Sequence, residues 1–176
     1  MIEAYIDSDV IVASRIESER HHRESKEFMR YVLTSNKDDI VFYTSIFTFV
    51  ELASAMIRRT KDEDKAYALL YRIRTSWKNY ILPLPPIPPM PSKLRPSFSK
   101  ILTEMVETLI ETSIQFRTPS GDTIHAQTVD LYEIYYLVTW NVRHFSDMEN
   151  QSKHLKVMTP PQALLEFRKK KREKRV

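Results

Sequence analysis

Gly121 to Asp147 reads GDTIHAQTVDLYEIYYLVTWNVRHFSD. Asp122 follows the only glycine in the chain and opens a helix carrying Ile124, Ala126 and Val129. Tyr135 to Thr139, YYLVT, is a short apolar run that reads as a buried strand. Asn141 stands just past its end. A carboxylate at a helix start and an amide at a strand end can meet in a parallel α/β sheet, where ligands bind outside the carboxyl ends of the strands. A site marked by Asp122 would draw further acids from earlier strand ends, and Asp7 and Glu51 are placed to supply them.

Toward the N-terminus, the run AYIDSDVIVA predicts a strand over Ile2 to Ile6 that ends at Asp7 and turns into a helix. Asp7 is there either a site carboxylate or the N-cap of a helix from Ser8. Glu17 to Thr34 reads as a helix, its apolar residues Phe28, Met29, Val32 and Leu33 recurring at i, i+4. The adjacent His21 and His22 point to different faces and read as solvated surface residues. Ile40 to Tyr43 is a second strand. Thr48 to Arg59 follows as a helix, with Val50, Ala53 and Ile57 at helical spacing. Thr48-x-x-Glu51 fits a capping box, so Glu51 has a structural reading beside the functional one. Asp62 to Lys78 is a further helix, and Tyr80 to Leu82 a third strand.

Residues 83–96, PLPPIPPMPSKLRP, hold seven of the ten prolines. Proline fixes φ and lacks an amide donor, so the stretch reads as an extended surface loop within one domain. Phe98 to Phe116 is an amphipathic helix with Phe98, Ile101, Leu102, Met105, Leu109 and Phe116 along one stripe. Thr118 to Gly121 make a turn before the Asp122 helix. Beyond Asn141, a polar turn runs to Asp147, Leu155 to Met158 is a last strand, and Pro160 and Pro161 start a final helix. Strands alternating with helices predict a mostly parallel sheet covered by helices. The domain spans residues 1–167, and 168–176 form a basic tail.

Composition excludes several chemistries. There is no cysteine, hence no disulfide, zinc–thiolate site or thiol nucleophile, and one glycine cannot build a P-loop or a dinucleotide fingerprint. Seven basic residues and one acid lie in RKKKREKR, 168–175, so the net charge of +4 belongs to the tail and the rest of the chain is slightly acidic. The first residues lack the basic and apolar regions of a secretion signal, and no apolar run is long enough to span a membrane. A cytoplasmic protein is the expectation.

Four segments, YIDSDVIVA, TSIFTFVELASAMIRR, SGDTIHAQTV and YYLVTWNVRHF, together resemble the PIN-domain nucleases, including toxins of the VapC type. They occur in the family's order and span Tyr5 to Phe145. The resemblance implies a three-layer α/β/α sandwich around a mostly parallel sheet, and hydrolysis of RNA phosphodiesters with Mg²⁺ or Mn²⁺. It places Asp7, Glu51 and Asp122 on the three metal-holding acids, and Asn141, behind Thr139, on the fourth catalytic position. It also implies a homodimer and, for a toxin, an antitoxin partner.

The chemistry agrees with that reading. Mg²⁺ prefers carboxylate and water oxygens, and gathered carboxylates need a cation to neutralise them. Asn141 in place of an acid removes one charge and bears mainly on a second metal. Asp9 and Asp147 are reserve ligands. Thr139 either holds a carboxylate in place or is an ordinary strand threonine. Arg58, Arg59, Arg143 and His144 are candidates to meet RNA phosphates. Trp140 and Phe145 are candidates to stack on bases, Phe145 having also a core reading. The tail, with Lys169, Lys170 and Lys171, is either a nucleic-acid arm or a solvated helix end. A non-catalytic RNA-binding or assembly module and a nuclease for RNA processing or structured DNA are the competing readings. A zinc site of His125, His144 and His154 is a third, with no helical histidine pair to support it.

Overall fold

A computed structural model describes residues 1–77, 79–87 and 97–173. Five strands form one all-parallel sheet in the order β3-β2-β1-β4-β5. They are β1 (Ile2–Ile6), β2 (Ile40–Ser45), β3 (Ile81–Leu84), β4 (Tyr136–Val138) and β5 (Lys156–Met158). The helices are α1 (Ser8–Arg15), α2 (His22–Thr34), α3 (Thr48–Thr60), α4 (Glu63–Trp77), α5 (Phe98–Phe116), α6 (Ser120–Leu131), α7 (Ser146–Gln151) and α8 (Pro160–Glu173). A 3₁₀ turn covers Val142–Phe145.

The strands sort side chains between two cores with period two. Ala4, Ile6, Phe42, Tyr136 and Val138 join residues of α1, α2, α3, α4 and α8 on one face. Tyr5, Leu137 and Val157 join residues of α6, α7 and the end of α5 on the other. The result is a three-layer α/β/α sandwich. Full burial of a large core side chain such as Phe28, Phe42 or Phe167 contributes about 2 kcal/mol.

The chain lays β2 and β3 to one side of β1, then returns to lay β4 and β5 on the other. The reversal lies between β1 and β4, so the crevice of such a sheet opens at their carboxyl ends. Asp7 follows β1 and Thr139 follows β4, and the Asp7 amide donates to the Val138 carbonyl at 3.0 Å.

Several local expectations change. The polar stretch after α1 is not helical, and α2 begins only at His22. Gly121 lies inside α6 rather than in the preceding turn. The helices that need a left-handed terminal residue use Lys61 (φ 52°) and Arg117 (φ 49°) instead of glycine. β3 extends through Pro83, which an edge strand tolerates because one side of its backbone needs no partner. Of the proline-rich loop, residues 88–96 lie outside the described residues. The last helix continues through Phe167 to Glu173, so Lys169 to Lys171 belong to α8, and 174–176 lie outside the described residues. Among the described residues, no helix is long and apolar enough to cross a membrane.

Candidate active site

Asp7 is 1% exposed at the carboxyl end of β1, in contact with groups from three other elements. Its backbone stands at the N-cap of α1, but its side chain makes no capping bond there. Thr139 donates its hydroxyl to Asp7 Oδ2 at 2.8 Å and lies 3.2 Å from Asp9 Oδ2. The Thr139 hydroxyl oxygen accepts the Asn141 backbone N–H at 3.0 Å, which fixes its orientation. Thr139 therefore holds a carboxylate in place.

Glu51 lies in the first turn of α3, and here the capping-box reading fails. The N-cap is Phe47, with no side-chain cap, because Thr48 is turned inward to bond Thr44 at 2.7 Å. The Glu51 carboxylate is thereby left to reach His125, whose Nε2 lies 2.8 Å from Glu51 Oε2 and 3.4 Å from Asp7 Oδ1. The other ring nitrogen, Nδ1, is 2.6 Å from the Tyr5 hydroxyl. His125 is 1% exposed and stands one helical turn after Asp122 in α6. Asp122 meets His144 of the 3₁₀ turn, 2.5 Å from Nδ1 to Oδ2.

Charge explains the ionisation of the cluster. Burial acts to lower the His125 pKa, but Asp7, Glu51 and Asp122 outweigh it and raise the value to about 9. His125 is therefore an imidazolium at neutral pH, donating from both nitrogens. Burial raises the Asp122 carboxyl, as does nearby Asp7, while the bond from His144 opposes them. Asp9 is pushed well up, by burial first and Asp7 second, against the bonds from the Trp140 amide and Thr139. Its second oxygen, Oδ1, is buried with no hydrogen-bond partner.

The remaining candidates divide by place. Asp9 joins the cluster, whereas Asp147 is drawn off to Arg117 at 3.9 Å. The Asn141 side chain is exposed, while its backbone amide donates to Thr139 Oγ1 at 3.0 Å and its carbonyl accepts from the His144 amide at 2.9 Å. Arg58 and Arg59 line an open cleft of about 640 Å³ together with Ser8, Asp9 and Glu51. Arg59 is engaged there by Glu19 at 2.6 Å, and Arg58 by the Ser54 hydroxyl at 3.1 Å. Arg143 is exposed on the 3₁₀ turn. Phe145 is fully buried in the core.

Lys169, Lys170 and Lys171 are correspondingly far from the acids. Lys170 lies over the rings of Tyr135 and Tyr136, and Lys171 pairs with Asp39 at 3.3 Å. Those partners stand at the amino ends of β4 and β2, opposite Asp7. The reason is that α8 starts beside the carboxyl end of β5 and runs back along the sheet. His21 and His22 are not free surface groups either. His21 stacks on Trp140 with ring centroids 3.9 Å apart, and His22 bonds the Ala13 carbonyl at 2.9 Å.

The donor set can be tested against a hard divalent cation. Asp7, Asp9, Glu51 and Asp122 offer carboxylate oxygens, the type such an ion prefers, and Asp9 Oδ1 is an unpartnered buried acceptor. In chemical type the residues fit. Among the described residues, no three acidic or histidine side chains stand together as a group that could hold a metal ion. The group between Asp7 and Glu51 is His125, which these acids hold toward its charged form. His125, His144 and His154 do not form a group that could hold a metal ion, so the three-histidine zinc site is not built.

The sequence signal for His125 was its spacing of three from Asp122, which puts both on one helix face. The chain matches no protein-family model, and no curated protein matches it.

Proposed function

We propose that the protein is a metal-dependent ribonuclease of the PIN-domain kind, with Asp7, Glu51 and Asp122 as its acidic site. The observation that carries this reading is that Asp7, at the end of β1, and Glu51, in the first turn of α3, both reach His125 at the switch point of a parallel sheet, with Asp122 one turn before it in α6. Asp7, Asp9 and Asp122 would hold Mg²⁺ or Mn²⁺, with Glu51 binding or orienting through water. A bound ion of this type supplies charge neutralisation at the phosphate and lowers the pKa of an attacking water.

The chain's own groups perform the rest. Thr139 orients Asp7, and His144 holds Asp122 toward its ionised form. Arg58 and Arg143 are the cations available to the approaching phosphates. Asn141 contributes a neutral oxygen at the rim. Exposed Leu102, Val106, Ile110 and Ile114 recur every four residues along α5 and offer an apolar face for a homodimer or an antitoxin. A toxin of a toxin–antitoxin pair and an RNA-processing enzyme, including one for structured DNA, are the two settings of this chemistry.

A non-catalytic RNA-binding module is the second reading. It is favoured by the His125 imidazolium, which already neutralises Asp7 and Glu51.

The test is cleavage of single-stranded and structured RNAs with Mn²⁺, with Mg²⁺ and with chelator. Chelator is expected to abolish cutting, and Asp122→Asn to slow it about 100-fold, the scale of one lost electrostatic contact. RNA bound but never cut, with any metal, would decide for the non-catalytic module. Thr139→Val is a milder change, since it removes an outer contact and keeps the shape. Such contacts carry about 10- to 100-fold in metal affinity or activity. The expected signature is a weaker Mn²⁺ titration midpoint, and an unchanged midpoint would show that Thr139 is only a strand residue.

A further inference from the structure

A second charged surface lies outside the acidic site. Arg23, Lys26 and Arg30 are exposed on α2, at positions i, i+3 and i+7 of one helix face. Along the axis they span about 10 Å. With Arg168 of α8 they line a cleft of about 560 Å³. The cleft contains one carboxylate, Glu27, which lies 3.7 Å from Arg168. Among the described residues, Arg23, Lys26 and Arg30 make no ion pair. Three cations on one face, whose single neighbouring carboxylate is turned to Arg168, repel one another, and an anionic ligand relieves that repulsion.

The cleft is joined to the acidic site. Trp140 Nε1 donates to Ser25 Oγ at 2.8 Å, and the Trp140 ring stacks on His21, just before α2 begins. The Trp140 amide in turn donates to Asp9 at 2.9 Å. The first turn of α2 is thus fastened to the end of β4. From there α2 carries its basic face away from the acids toward the amino edge of the sheet. Tyr31 and Thr34 also line the cleft, the Thr34 hydroxyl donating to the Arg30 carbonyl at 2.9 Å.

We infer that the cleft between α2 and α8 is a track for the phosphate backbone of a single RNA strand, binding the part that flanks the cleaved bond. The inference rests on the ribonuclease reading for its ligand. Repeated cations along a groove suit a polyanion of regular charge spacing, and they predict salt-dependent binding without base preference. An acidic protein segment is the other ligand of this charge and is an outcome of the test.

The experiment compares the full chain with an R23Q/K26Q/R30Q variant and with K65Q/K100Q/K153Q, which makes an equal charge change elsewhere. Binding of a 20-nucleotide RNA is measured over a salt series by fluorescence anisotropy, and cleavage is measured on that RNA and on a trinucleotide. The three α2 side chains are exposed, so the melting temperature should not change. The expected result is about a 10-fold loss of affinity and a salt slope shallower by about 2, each single-strand phosphate contact contributing about 0.7. Trinucleotide cleavage should be unchanged, and the control variant should bind as the wild type does.

If the wild type cuts RNA and the α2 variant binds the long RNA equally well, the track is overturned while the nuclease stands. If nothing is cut but the α2 variant alone loses RNA binding, the track stands and the nuclease falls. Binding of a poly-aspartate peptide that depends on α2, with RNA binding that does not, overturns the track in favour of a protein surface. No RNA binding by the wild type overturns both.

Discussion

Asp7→Asn is expected to lower metal-dependent RNA cleavage about 1,000-fold, the upper end of what one preorganised electrostatic contact supplies. Asparagine has nearly the same shape and can still accept the Thr139 hydroxyl, so the strand end should keep its form. What disappears is the charge. Asp7 raises both the Asp9 and the Asp122 carboxyls and helps to raise His125. The variant should therefore show Asp9 and Asp122 titrating closer to the ordinary carboxyl range, and His125 below about 9. Single-turnover cleavage with Mn²⁺ and NMR titration of these groups would be read together. Shifted titrations with cleavage within tenfold of the wild type would remove Asp7 from the reacting centre and leave it a structural acid.

His125→Gln is expected to destabilise the metal-free protein by about 3–5 kcal/mol, the usual result of removing one partner from a buried charged pair. For a chain of this size, that is a fall in melting temperature on the order of 10 °C. Mn²⁺ should recover more of that loss in the variant than it adds to the wild type, because the imidazolium no longer competes for the same carboxylates. The pH dependence has a definite sign. The folded-state value of about 9 lies above the 6.5 of an ordinary histidine. The stabilisation is therefore fully present below pH 6.5 and is lost as pH rises through about 9. The shift corresponds to about 3 kcal/mol. Melts in chelator at pH 6 and pH 9.5 should show a falling wild-type curve and a flatter variant. Parallel curves would mean that His125 is neutral in the folded protein, and the charge assignment at the site would be wrong.

The apolar runs that end in Asp7, Thr44 and Thr139 carry the parallel sheet in their composition, since a strand covered on both faces is apolar throughout. The places of Asp7 and of the α3 helix that carries Glu51 follow from where the first two runs end, whereas Asp122 opens α6, which follows a helix and not a strand. Other features depend on information that no local window contains. Glu51 fits a capping box and a site equally well, and only the inward turn of Thr48 decides between them. His125 is legible as a neighbour of Asp122, but its main partners lie 74 and 118 positions away in sequence. α7, SDMENQ, has six residues and almost no apolar content, so it leaves no periodic trace. Without that trace the sequence between β4 and β5 reads as a polar turn, although the two strands are parallel and α7 lies between them. The charge run in α8 announces itself in composition, but its distance from the acids is set by the direction of the helix.

Both rims of the sheet are sealed against another strand. On the β3 side, Pro83 has no amide to donate, and Pro85 and Pro86 follow directly. On the β5 side, the amide of Val157 is taken by Glu149 Oε1 at 2.9 Å. Open rims are where sheets join end to end, in aggregates and in partners that dock as an added strand. These edges therefore resist growth of the sheet by main-chain pairing even when the protein's concentration rises.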